Sequence, residues 1–211
     1  AVAATWIFAF LTNLPILEGN IANAENFFLF FTVASFYVLW VSKNTFLGGL
    51  LLGLGTLFKM PPLVEAGVWP VYWFLTNDKR WFRKSMVMGT GAMLPIMISA
   101  VYYWAIGAGR EYLTAAWIQN LPYLTSWKAT TTATGIYSLK NRVMLVGLGI
   151  LMVYVKRKRW QKTTIILALW TLFTWFAALL SGRPYPHYLL QMAPVMAFWI
   201  WSRTKFVLGW T

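Results

Sequence analysis

The chain has 211 residues, of which 59% are hydrophobic and only 11% charged, too little polar surface for an ordinary water-soluble globule, where about 25% of residues carry charge. Its net charge of +13 is split into short clusters between apolar runs and forms no basic stripe or groove, which argues against nucleic acid as a partner. The lack of cysteine excludes disulfides, thiolate metal sites and cysteine nucleophiles, while 14 Trp, 10 Tyr and 15 Phe suit the headgroup level of a bilayer.

The first apolar run, 1–17, has no basic leader and no small-residue cleavage site, so it reads as the interior of a longer protein. A polar, acidic connection follows, with Glu18-Gly19-Asn20 and Asn23-Ala24-Glu25-Asn26. The second run, 27–41, is dense in Phe and ends at Ser42-Lys43-Asn44. The third, 45–58, is Gly-rich and meets Lys59-Met60-Pro61-Pro62, where two prolines force a break. Gly49 and Gly53 have the spacing of a close helix contact. A fourth run, 63–75, leads into the basic loop 77–84, and a fifth covers 85–106. The connection 107–141 is long, amphipathic and rich in Trp, Tyr and Thr, and it precedes a sixth run, 143–155. Beyond the basic loop 156–162 come a seventh run, 163–180, the polar island 181–188, an eighth run, 189–201, and the close at Ser202-Arg203-Thr204-Lys205, where a ninth run begins.

A spanning helix needs about 20 apolar residues. The pattern therefore predicts an all-α fold, a polytopic transmembrane bundle of about eight spanning helices in one domain over 1–211, with 107–141 as an outer loop within it. Alternating spans put Lys43, the loops 77–84 and 156–162, and Arg203 with Lys205 on one side, which then holds 12 of the 18 basic residues. By the positive-inside rule that side is cytoplasmic. The other side carries Glu18, Glu25, Lys59, Glu65, Arg183 and His187. The expected location is a bacterial or archaeal cell membrane.

Charges in or beside spanning segments are costly and are the first places to look for chemistry. Glu25 starts a helix, where a carboxylate favours the positive N-terminus; at the mouth of a cavity it would serve as a base, hydroxyl acceptor or metal ligand. Lys59 is either a snorkelling interfacial lysine or a phosphate contact beside irregular backbone, with Glu65 near enough in sequence to neutralise a charge. In Ser181-Gly182-Arg183-Pro184-Tyr185-Pro186-His187-Tyr188, the arginine suits bidentate phosphate binding and the only histidine suits phosphate or metal. Tyr185 and Tyr188 also fit a plain aromatic belt. A Ser181–His187 hydrolase has no third member or oxyanion-hole signature, and no Walker A, GxGxxG or HExxH pattern occurs.

Three segments taken in order, Ala22-Asn23-Ala24-Glu25-Asn26-Phe27, the Gly-rich helix ending at Lys59-Met60-Pro61-Pro62, and Gly182-Arg183-Pro184-Tyr185-Pro186-His187-Tyr188, resemble the dolichyl-phosphate-mannose-protein mannosyltransferase superfamily. This is the bacterial glycosyltransferase family 39 group, which includes the aminoarabinose transferases of lipid A. The resemblance implies a GT-C membrane fold and a sugar donor carried on a polyprenyl phosphate. Transfer would be to a lipid, glycan or protein acceptor on the outer face. It implies that Glu25 fills the acidic position at the start of a later helix, that Lys59 is the lysine of a Lys-Pro element, and that His187 and Tyr188 open the late helix. Lys59, Arg183, His187 and Tyr188 are thus expected at the donor phosphate. Glu25 and His187 are the residues that would meet a divalent ion if one takes part. The family's catalytic Asp, in a first outer loop, would precede Ala1. Met60 between Lys59 and Pro61 departs from the direct Lys-Pro pair. The alternative from another class is a polytopic transporter or lipid flippase, which would share broken helices and buried charges but predicts internal repeats that the two halves do not show.

Overall fold

The computed structural model describes residues 2–19, 21–120, 139–180 and 185–208, with side chains as far as Ser202. Every described element is helical. Helix α1 is Val2–Thr12, followed by a 3-10 turn, Pro15–Leu17, that closes on Glu18 in the left-handed region (φ 55°). Helix α2 is Ala24–Tyr37 and continues as a π turn, Val38–Ser42. Lys43 then takes φ 56°, and Asn44 caps α3, Thr45–Thr56, by accepting from the Leu47 N–H at 3.0 Å.

The fourth apolar run folds as two short helices, α4 Pro61–Glu65 and α5 Val68–Leu75. Pro61 and Pro62 occupy the first turn of α4, where their missing N–H groups leave no ladder bond unmade. Helix α6, Trp81–Ala105, is the longest, and α7, Gly109–Leu113, continues as a π turn, Thr114–Ile118. Helices α8, Leu139–Lys156, and α9, Lys162–Ala178, flank the second basic loop. A 3-10 segment, Pro186–Met192, leads directly into α10, Ala193–Leu208. The expected stop at Ser202–Lys205 does not occur: α10 runs through it, since Ser, Arg, Thr and Lys carry no Pro or Gly to break the backbone ladder.

The glycines of α3 decide how the bundle closes. A Cβ on Gly49 would lie 1.9 Å from the Met88 carbonyl oxygen, and one on Gly53 2.1 Å from that of Ala92. From the other side, a Cβ on Gly91 would lie 2.2 Å from the Phe46 carbonyl. Helices α3 and α6 therefore meet backbone to backbone, the packing reading of the Gly49/Gly53 spacing. A core of aromatic and aliphatic side chains joins α2, α5 and α9. Phe36 stacks on Trp170 at 3.8 Å between centroids, and Trp69 lies 5.3 Å from Phe36.

The outer faces are apolar as well. On α6, Met97, Ile98, Val101 and Trp104 are exposed, and on α8 so are Leu148, Leu151, Met152 and Val155. Two helical stretches, Ala24–Ser42 and Trp81–Ala105, are long and apolar enough to cross a membrane. The other apolar helices, Val2–Thr12, Thr45–Thr56 and Lys162–Ala178, are shorter. The first is bounded by the polar turn around Glu18, and the second by Asn44 and the break at Pro61-Pro62.

Candidate functional site

The site grows out of three segments that interrupt helices. Glu25 lies in the first turn of α2 and is 1% exposed. The N-terminal dipole of α2 favours its charge, but so complete a burial also requires a counter-charge. Lys59 supplies it, donating from Nζ to Glu25 Oε1 across 34 residues of sequence. Lys59 stands in the linker between α3 and α4, where the helix has ended and Pro61 has not yet restarted it. Its side chain keeps 31% exposure, so the ammonium faces both its buried partner and open space.

The third segment is Pro186–Met192. Tyr188 sits under the lysine, with Lys59 Nζ 4.2 Å from its ring centroid, a cation–π contact. His187 meets Tyr188 edge to face at 4.7 Å and stacks on Tyr185 at 5.5 Å. Its Nδ1 is 2.7 Å from Glu18 Oε2. Two carboxylates, a lysine, a histidine and a tyrosine thus form one connected set, in the order Glu25, Lys59, Tyr188, His187, Glu18. Phe58, next to Lys59 in sequence, stacks on Phe27 at 5.9 Å and Phe31 at 5.6 Å.

A cavity of about 410 Å³ opens beside Lys59 and Tyr188. Its opposite wall is built by Tyr103 of α6, Tyr112 of α7 and Trp117, with Ser99, Asn120 and Gln191 as polar groups. Tyr103 and Tyr112 stack at 4.7 Å with 12° between planes. The size and the mixture of aromatic wall and few polar groups are those of a small-molecule site.

Of the sequence candidates, Glu25, Lys59, His187 and Tyr188 are brought together, and Arg183 lies outside the described residues, as do Ser181 and the Thr-rich part of the 107–141 connection. Glu25 does not line the cavity as expected; it stands behind Lys59, which does. His187 likewise stands behind Tyr188. Glu65 is not the partner of Lys59. It is buried in α4 and accepts from Trp170 Nε1 at 2.9 Å, because its position at the end of α4 turns it toward α9. As for a metal, Glu25 is engaged by Lys59 and His187 by Glu18, and among the described residues no group of three or more His, Cys, Asp or Glu is placed to hold one.

The sequence reading gave little weight to Glu18 and none to Tyr103, Tyr112 or Gln191. Gln191 is 2% exposed, and its Oε1 has no hydrogen-bond partner among the described residues. A buried amide oxygen left so is a costly arrangement that a ligand or water would relieve. Its signal in the sequence was a glutamine in an otherwise apolar stretch, Leu189-Leu190-Gln191-Met192. No family model matches the chain, and none of the curated proteins or solved structures compared with it matches either.

Proposed function

We propose that the protein is a multi-pass membrane glycosyltransferase. It takes a sugar from a polyprenyl-phosphate donor and transfers it to a lipid, glycan or protein acceptor on the face opposite the basic loops. The observation that carries this reading is the Lys59 ammonium. It is fixed by a buried carboxylate on one side and an aromatic face on the other, and it borders a cavity with an aromatic far wall.

The reaction needs a nucleophile at the anomeric carbon and a phosphate leaving group. The acceptor oxygen or nitrogen forms the new bond to that carbon as the bond to the phosphate oxygen breaks. The electron pair departs with the lipid phosphate, and negative charge grows there in the transition state. A cation already held in position stabilises such charge without first having to reorganise. Lys59 has that form, since Glu25 and Tyr188 hold it in position. Glu25, engaged by Lys59, is not a free base; its role is to position the lysine. His187, tied to Glu18, holds the Tyr188 side of the site. Tyr103, Tyr112 and Trp117 offer ring faces on which a sugar can lie. The acceptor's proton passes to a base, a role that the resemblance implies for an Asp of a first outer loop.

The test uses the full-length protein in membranes with a labelled polyprenyl-phosphate sugar. Lys59→Ala, Glu25→Gln, His187→Ala and Arg183→Ala are each expected to lower transfer without changing membrane insertion. Unchanged turnover in all four removes the site. Solute movement without glycosyl transfer replaces the class by a transporter.

A further inference from the structure

A second cavity lies at the other end of the bundle. It is a groove of about 270 Å³ between α2, α9 and α10, floored by Trp69. Phe36, Trp170 and Phe198 line its inner part. Of its hydroxyl-bearing residues, Tyr37 lies on α2, while Thr163 and Ser202 lie at the end toward the basic loops, beside Trp40, Val41 and Trp201. The groove is thus mainly apolar, with two of its three hydroxyl-bearing residues at one mouth. On α2 it runs from Val33 to Val41, a rise of about 12 Å at 1.5 Å per residue, close to one leaflet of a hydrocarbon core about 30 Å thick.

The polar mouth is also the cationic one. Each of the three helices that line the groove carries a basic residue just past its lining end: Lys43 after Val41, Lys162 before Thr163, and Arg203 after Ser202 in sequence. Lys43 folds back over Trp40, its Nζ 4.8 Å from the ring centroid and donating to the Trp40 carbonyl. Burial first, and then Lys84 and Lys162, hold its ammonium below the usual lysine pKa. Three lysines, one from the turn between α2 and α3 and two from the first turns of α6 and α9, therefore share one small region. The nearby carboxylate, Asp78, is paired with Lys84, and neither Lys43 nor Lys162 has an ion-pair partner among the described residues.

We propose that this groove and its basic mouth hold one anionic phospholipid from the leaflet facing the basic loops. Its acyl chain lies along the Trp-lined slot and its phosphate sits between Lys43 and Lys162. Charge complementarity selects the occupant: among the described residues the mouth offers two lysines without an ion-pair partner and no free carboxylate, while the slot is lined chiefly by aromatic and aliphatic side chains. The inference rests on the membrane part of the proposed function and is independent of glycosyl transfer.

The experiment reconstitutes the full chain in phosphatidylcholine vesicles that contain a trace of phosphatidylglycerol or of phosphatidylcholine, each with a photoreactive group within one acyl chain. Labelled peptides are mapped by mass spectrometry. Phosphatidylglycerol is expected to label residues 33–41 and 163–170 about fivefold more than phosphatidylcholine does, the scale of one phosphate contact near a membrane surface. Lys43→Gln with Lys162→Gln removes the preference and leaves the vesicle-bound protein folded, since both side chains are exposed. Ile166→Trp, which fills the slot, removes the labelling of both segments by either lipid. Equal labelling by the two lipids overturns the proposal, as does a preference that survives the double substitution. An alkaline wash separates the two levels. Protein that leaves the vesicles sinks the membrane reading and the lipid site together; protein that stays but labels equally sinks the lipid site alone.

Discussion

Lys43 and Lys59 lie just beyond the two ends of the same helix, α3, and their charges are treated in opposite ways. Lys59 meets a carboxylate that is 1% exposed, a tyrosine ring and a cavity. Lys43 stays exposed, bonded to its own preceding turn and facing other lysines. The difference lies in what the neighbouring segments bring. At the Lys59 end, α2 begins with an acidic first turn and the 3-10 segment brings Tyr188. At the Lys43 end, α6 and α9 begin in basic loops. One end is a preorganised single cation suited to stabilising developing charge; the other is a cationic surface waiting for an anion.

If that contrast is right, Lys59→Met is the most damaging charge removal. Turnover should fall about 10²- to 10³-fold, the usual loss when one preorganised electrostatic contact is removed. The same substitution leaves the Glu25 carboxylate buried without a partner, which costs about 3 kcal/mol. Adding Glu25→Gln should restore most of the lost thermal stability and none of the turnover. Recovery of both would reduce the pair to a structural element. Intrinsic Trp fluorescence on heating and a transfer assay read the two quantities separately.

Next in size is a test of the helix pair that holds the two ends apart. Gly53→Val should destabilise by about 3 kcal/mol through overpacking, because even a Cβ would meet the Ala92 carbonyl at 2.1 Å. Gly147→Val on α8, where a Cβ meets nothing within 4 Å, is the control and should shift the melting temperature little. A smaller effect is expected of Glu18→Gln. Losing the carboxylate contact at His187 Nδ1, which lies 2.7 Å from Glu18 Oε2, should lower kcat/KM about tenfold. An unchanged kcat/KM in the transfer assay would remove that contact from the site.

The smallest effect belongs to the basic end. The hydrogen bond from Lys84, then that from the Arg80 N–H, holds the Asp78 carboxyl below the usual carboxylate range. A folded pKa below the unfolded one stabilises the protein above the unfolded value, about 3.9, and that contribution is lost as pH falls through the folded pKa. Asp78→Asn should therefore cost under about 1 kcal/mol at pH 7, as for an exposed pair, and less again below pH 3. A melting-temperature gap that widens on acidification would contradict the sign.

Much of the helix content could be read from apolar runs bounded by Pro, Gly and charge, because those signals are local. Pro61-Pro62 placed a boundary within a few residues. The Gly49/Gly53 spacing identified a packing face without naming α6 as its partner. Lengths were read less well. The fourth run folds as two short helices and α10 passes through Ser202–Lys205, since hydropathy reports solvent preference and not where the hydrogen-bond ladder stops. At the site, a charge beside an apolar helix marked Glu25, Lys59 and His187 one by one.

By itself the sequence determined the apolar, helical character of the protein, the division of its charges between two sets of loops, and the residue types that could do chemistry. Those follow from composition and from local pattern. Only the tertiary structure decided that Lys59 takes Glu25 and not the nearer Glu65, that Glu18 holds His187, and that Tyr103, Tyr112 and Gln191 complete a cavity. The physical reason is that ion pairing and cavity walls depend on distances between segments. Glu65 is six residues from Lys59 but faces Trp170 across α4 and α9, whereas Glu25 is 34 residues away and at hydrogen-bonding range.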